Sequence, residues 1–197
     1  MTDPHVTEHV PVAEDVSLHL RRWDGGDRRP VLLVHGLASN ARLWDGVAAH
    51  LHASGHPVAA VDQRGHGRSS KPDGGYDMAG VVEDLRRLVE HLADELGWHR
   101  PLVVGQSWGG NVVVELAAMH PGLAAGVVGV DGGTIELAER FETWEDCAAA
   151  LRPPPMAGTP LTDLERMLRS SHPDWPESGI QGTLACFEVR DDGTIAP

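Results

Sequence analysis

The sequence predicts an α/β fold with a mostly parallel sheet, an N-terminal β-hairpin and a helical C-terminal segment. Three observations predict it. Four short apolar runs, Val31–His35, Val58–Val61, Leu102–Val104 and Val127–Val130, are each bounded by Gly, Pro or Asp, the mark of strands buried on both faces. Stretches with helical apolar spacing lie between them, so the chain alternates strand and helix as βαβ crossovers do. After Gly133 the buried-strand runs stop, and amphipathic segments with Pro-rich breaks take over.

The elements follow in order. Val16, Leu18 and Leu20 alternate with Ser17, His19 and Arg21, the period of a strand with one buried face. Val6–Val12 has a weaker form of the same pattern. Pro11 and the Glu14-Asp15 pair favour a hairpin at the rim of the sheet. Residues 24 to 30 read as a turn. Leu43, Trp44, Val47, Ala48 and Leu51 form one helical stripe. A longer one runs through Val81, Val82, Leu85, Leu88, Val89, Leu92 and Leu96, and a third through Val112, Val113, Leu116 and Ala117. Beyond Gly133, a helix is expected over Ile135–Leu151. A second begins near Leu161, with Thr162 as N-cap and Glu165 three residues on, and no further strand is expected. The domain boundary falls at 133/134: residues 1–133 form the core, and residues 134–197 a helical appendage.

Composition narrows the function. There are 29 acidic against 16 basic residues, a formal charge of −13, so nucleic acid and anionic membranes are poor partners. The two cysteines, Cys147 and Cys186, have neither CxxC spacing nor nearby zinc-type histidines. The first residues carry no basic n-region and no apolar h-region, and no run is long enough to span a bilayer. A cytoplasmic protein acting on a small molecule, with no metal or organic cofactor, is the expectation.

The most specific local signal is Gly105-Gln106-Ser107-Trp108-Gly109, set between an apolar strand and a helical stripe. In so tight a turn the chain before and after the serine nearly collides, and glycines remove the clashing side chains. Ser107 is then forced into a strained conformation with its Oγ above the sheet. The N–H groups of the following helix point to the same place. His35-Gly36, Asp62, Ser107 and Asp131 all lie at strand ends, where open α/β sheets bind ligands.

With these motifs the chain resembles the α/β-hydrolase family. His35-Gly36-Leu37 is similar to its HG oxyanion loop, and Asp62-Gln63-Arg64-Gly65-His66-Gly67-Arg68-Ser69 to its D-x-R-G-x-G-x-S stretch. The resemblance covers roughly residues 6 to 133, and 134–197 looks like the start of the family's helical cap. It implies Ser107 as nucleophile, the backbone N–H groups of Leu37 and Trp108 as oxyanion hole, and His35 as a prop for the oxyanion loop. It implies a serine hydrolase of esters or related acyl bonds of a small, partly apolar substrate. Serine at the elbow separates the chain from the epoxide-hydrolase and haloalkane-dehalogenase branches, which use Asp there.

Several assignments stay open. Asp131 is either the catalytic acid or a brace at the entry to the cap. Arg64, His66 and Arg68 beside Asp62 are either an anion site or a loop-bracing network. Trp108 either lines the acyl pocket or shields the elbow. His120, at a helix end, and His172, in SHPDWP, are the only histidines after Ser107, and neither follows a strand. The catalytic histidine is therefore expected beyond residue 197, and the chain is expected to be C-terminally incomplete and nearly inactive. C–C bond hydrolysis, perhydrolysis, peptidase action, acyl transfer and non-catalytic binding remain alternatives on the same scaffold.

Overall fold

The computed structural model describes residues 6–133, 137–152 and 156–196. A six-stranded sheet has the order β1-β2-β4-β3-β5-β6. β1 (Val6–Pro11) and β2 (Ser17–Trp23) form the expected antiparallel hairpin. β2 also runs antiparallel to β4 (Val58–Val61), pairing Leu20 with Val61. β3 (Val31–Val34), β4, β5 (Leu102–Gln106) and β6 (Gly126–Val130) are parallel. A short 3₁₀ turn (Ala41–Trp44) and α1 (Asp45–Ala53) connect β3 to β4. α2 (Met78–Leu96) connects β4 to β5, and α3 (Trp108–Met119) connects β5 to β6.

Side-chain alternation divides the core between the two sheet faces. Leu32, Val34, Ala59, Val61 and Val103 pack against Val82, Leu85 and Leu92 of α2 and Val112 and Leu116 of α3. Val31, Leu33, Val58 and Ala60 face Ala41, Trp44 and Ala48. α2 is well specified locally. The Asp77 carboxylate accepts from the Gly80 N–H, and Gly97, at φ 69°, closes the C-terminus.

Four expectations need correction. Val128 and Val130 are 46% and 41% exposed, because α1 packs against β2 and β4 and no described helix covers that face of β6. Val47, placed in the α1 stripe, is likewise exposed. On β2, His19 and Arg21 are buried rather than solvent-facing. His19 meets Asp62 and Ser69, and Arg21 meets Asp45, so this strand is covered on one side by hydrocarbon and on the other by a polar network.

The fourth correction concerns the C-terminal segment. Ile135 lies outside the described residues. Leu137–Glu139 makes a single 3₁₀ turn, and α4 starts only at Trp144 (Trp144–Leu151). Thr143 sets that start: its Oγ1 accepts from the Asp146 N–H and donates to the Asp146 carboxylate. α5 (Leu161–Ser171) is preceded by Pro160, not capped by Thr162. The Leu161 N–H donates to the Gly193 carbonyl, which draws Leu161 into the first turn. α6 (Glu177–Leu184) follows, then a short antiparallel pair, β7 (Glu188–Val189) and β8 (Ile195–Ala196), where no strand is expected. Ile195 is fully buried with Leu164, Ile180 and Leu184 in a small core of its own. α6 rests on the 3₁₀ turn and α1. No helix among the described residues is long and apolar enough to cross a membrane.

Candidate active site

Ser107 sits between β5 and α3 with φ 51° and ψ −122°. A non-glycine residue held there stores about 1–3 kcal/mol of strain. Two glycines make the turn possible by close approach. A Cβ on Gly105 would run into the Gly109 carbonyl, and one on Gly109 into the carbonyls of His35 and Val34. The loop after β6 closes the turn from the other side. The Ser107 N–H donates to the Val130 carbonyl (2.9 Å), and the Gly133 N–H donates to Asn111 Oδ1 of α3 (2.9 Å). Among the described residues no side chain hydrogen-bonds Ser107 Oγ.

His35 is wholly buried after β3. The Gln63 backbone N–H donates to its Nε2 at 3.0 Å, so the ring proton sits on Nδ1, which donates to the Gly36 carbonyl at 2.6 Å. Burial lowers its pKa to about 4, and the ring is neutral at physiological pH. Both nitrogens are engaged, so His35 has no capacity to act as a base on Ser107. Its bond to Gly36 has a further effect. In a trans peptide C=O and N–H point oppositely, so anchoring the Gly36 carbonyl to His35 turns the Leu37 N–H away from the ring. Neither the Leu37 nor the Trp108 N–H has a partner among the described residues.

Asp62 caps the loop that follows β4. Its Oδ1 accepts from the Ala41 N–H at 2.6 Å, and its Oδ2 from His19 Nδ1 at 2.8 Å and the Arg68 N–H at 2.9 Å. Burial opposes its charge. The His19 bond and the two N–H groups outweigh that and hold its pKa below the usual carboxylate range. Around Asp62, Arg64, His66 and Arg68 a bracing network forms, but not by pairing Asp62 with an arginine side chain. Arg64 reaches instead to Asp84 of α2, Nε and Nη2 meeting the two carboxylate oxygens at 2.5 and 2.6 Å. This bidentate bond raises the arginine's pKa further. His66 stands edge-on to His35, ring centres 5.0 Å apart.

Asp131 follows β6 with φ 51° and an exposed side chain. It is one loop from Ser107 and contacts no described histidine. His120 and His172 end α3 and α5, and His172 stacks on Trp175 at 4.0 Å. The structure therefore brings Ser107, Leu37 and Trp108 to one end of the sheet but couples neither Asp131 nor any described histidine to the serine. Sequence reasoning missed Gln63, His19, Asp84 and Asn111. Gln63 occupies a variable position in a motif, His19 falls on the outward side of an alternating strand, and Asp84 and Asn111 lie within helices.

Residues 29–178 match the family described as alpha/beta hydrolase fold. The chain is 28% identical, over its whole length and 66% of the relative's, to 2-(acetamidomethylene)succinate hydrolase of Mesorhizobium japonicum. It is 33% identical, over 73% of its length and 48% of the relative's, to a haloalkane dehalogenase of Psychrobacter cryohalolentis. A crystal structure of E-2-(acetamidomethylene)succinate hydrolase superposes with a TM-score of 0.76 at 26% identity, covering 98% of this chain and 68% of that one. The chain thus spans from about half to two thirds of the length of these curated relatives. With the family match covering most of the chain and the Ser107 turn standing between β5 and α3, this protein belongs to the α/β-hydrolase fold family.

Proposed function

We propose that the protein contributes the nucleophile and oxyanion-binding portion of a serine hydrolase acting on an ester or related acyl bond of a small, partly apolar substrate. The observation that carries the reading is Ser107 at φ 51°, locked in a glycine-bounded turn with an unengaged Oγ. Ser107 Oγ attacks the carbonyl carbon, and its proton passes to a base. The carbonyl oxygen becomes an oxyanion held by the Leu37 and Trp108 N–H groups, with the N-terminus of α3 adding favourable potential. Collapse expels the alcohol and leaves an acyl-serine, which water then hydrolyses. His35 and Gln63 position the oxyanion loop, and the segment after residue 134 serves as the cap over the substrate.

No described histidine reaches Ser107, so the base is a group outside the described contacts. Similarity to a haloalkane dehalogenase does not bring that chemistry here, because the elbow residue is Ser107. The test is single-turnover acylation by p-nitrophenyl butyrate, with the butyryl group located by tandem mass spectrometry. Butyryl on Ser107, absent in Ser107→Ala, supports the reading. Acylation elsewhere with Ser107 left free overturns it.

A further inference from the structure

A polar cavity of about 250 Å³ opens at the β2–β4 side of the strand ends. β3 separates β4 from the strand that carries Ser107. Its walls come from β2, the turn before α1, the loop after β4 and the chain just past α6. The roof is latched: Asn40 Nδ2 donates to the carbonyls of Ala185 and Cys186 at 3.4 and 3.2 Å. Arg21, Arg42 and Arg68 border the space, a concentration of cations in a chain of net charge −13.

The state of the bordering groups indicates what fits. His19 is 4% exposed, its Nδ1 is held by Asp62 at 2.8 Å, and its buried Nε2 has no partner among the described residues. Such an orphan is costly to leave unmade. The Arg68 guanidinium pairs with no described carboxylate. Arg21 and Arg42 share Asp45, each binding one of its oxygens, at 2.9 and 3.2 Å. Of the two carboxylates on the wall, the buried one is committed and the other is exposed at the rim. Asp62 already accepts three hydrogen bonds, and Glu188 lies 3.6 Å from Lys71 Nζ. A cationic ligand would find only the exposed Glu188, whereas an oxyanion would find the Arg68 guanidinium without a carboxylate partner among the described residues.

We propose that this cavity binds a small, doubly charged oxyanion, a phosphate or a dicarboxylate, held by the Arg68 and Arg42 guanidinium groups, with His19 Nε2 as a further hydrogen-bonding atom. Asp62 accepts from Nδ1–H and so aligns the ring, leaving Nε2 to meet the ligand. Guanidinium groups match either oxyanion bidentately. The site does not rest on the hydrolase reading, since no residue named for acyl transfer borders it.

The test titrates the full chain with inorganic phosphate in one arm and succinate in another, with sodium chloride at matched ionic strength as control. It follows the His19 ring nitrogens by long-range ¹H–¹⁵N correlation and the heat of binding by calorimetry. Saturable binding in either arm, a saturable shift of the His19 Nε2 resonance, and at least tenfold weaker binding by Arg68→Gln are expected. The arm that saturates at lower concentration identifies the ligand class. The Arg68 side chain is exposed and pairs with no described carboxylate, so Arg68→Gln should fold normally, and far-ultraviolet circular dichroism checks that it does. Ser107→Ala should bind unchanged, which separates this site from the acyl-transfer site. Shifts no larger than those with chloride, or undiminished binding by a folded Arg68→Gln, would overturn the proposal.

Discussion

His35 and Gln63 are joined twice. The Gln63 backbone N–H donates to His35 Nε2 at 3.0 Å, and the Gln63 side-chain amide donates to the His35 carbonyl at 2.6 Å. The pair ties the end of β3 to the end of β4 beside the Gly36-Leu37 loop. It requires a neutral imidazole, because a protonated Nε2 would confront an N–H donor.

That requirement gives the protein an acid-side weakness. An unfolded His35 titrates near 6.5, while burial lowers the folded value to about 4. Between those values the unfolded chain takes up a proton that the folded chain refuses. Stability is therefore full above about pH 6.5 and falls as the pH drops toward 4, by up to about 3 kcal/mol from this group. Urea midpoints measured at pH 7 and pH 4.5 should differ accordingly. The difference should shrink in His35→Asn. An unchanged difference would show that other groups set the acid sensitivity.

Glycine substitutions should separate close-packed positions from open ones. A Cβ at Gly109 has no room beneath the carbonyls of His35 and Val34, so Gly109→Ala should cost about 2 kcal/mol or more. At Gly74 nothing lies within 4 Å, and Gly74→Ala should be neutral to slightly stabilising, within about 1 kcal/mol. Equal denaturant midpoints for the two variants would contradict the packing at the elbow.

The Arg64–Asp84 pair should be sensitive to loss of either member. Both side chains are nearly buried, at 9% and 4% exposure, so Asp84→Asn or Arg64→Leu leaves a charge without its partner, at about 3–5 kcal/mol. Replacing both with apolar residues should recover part of that loss. A double-mutant cycle in chemical denaturation checks it, and additive single effects would show that the pair is not coupled.

Esterase turnover by the 197-residue chain should be weak. With no described histidine on Ser107 Oγ, kcat should lie about 10⁴–10⁶-fold below that of an enzyme with a complete triad. What remains should vanish in Ser107→Ala. Steady turnover of p-nitrophenyl butyrate that depends on Ser107 would mean that a histidine of this chain serves as base.

The fold and the tight turn at Ser107 were legible in the chain because their causes are local. A buried parallel strand must be apolar on both faces, α2 carries its own stripe and both of its caps, and a strand-to-helix turn as tight as that at Ser107 admits only small neighbours at 105 and 109. What the tertiary structure alone decided depends on partners distant in sequence. Arg64 chose Asp84 over Asp62, 20 residues away and on a helix face. His19 turned inward because Asp62 and Ser69 lie across from it, 43 and 50 residues on. Leu161 starts its helix because Gly193 accepts its N–H, and the β7–β8 pair exists because Ile195 completes a small core with Leu164 and Ile180. Each is a polar or edge choice between competing partners of similar local propensity, and only the assembled fold supplies the distance and burial that separate them.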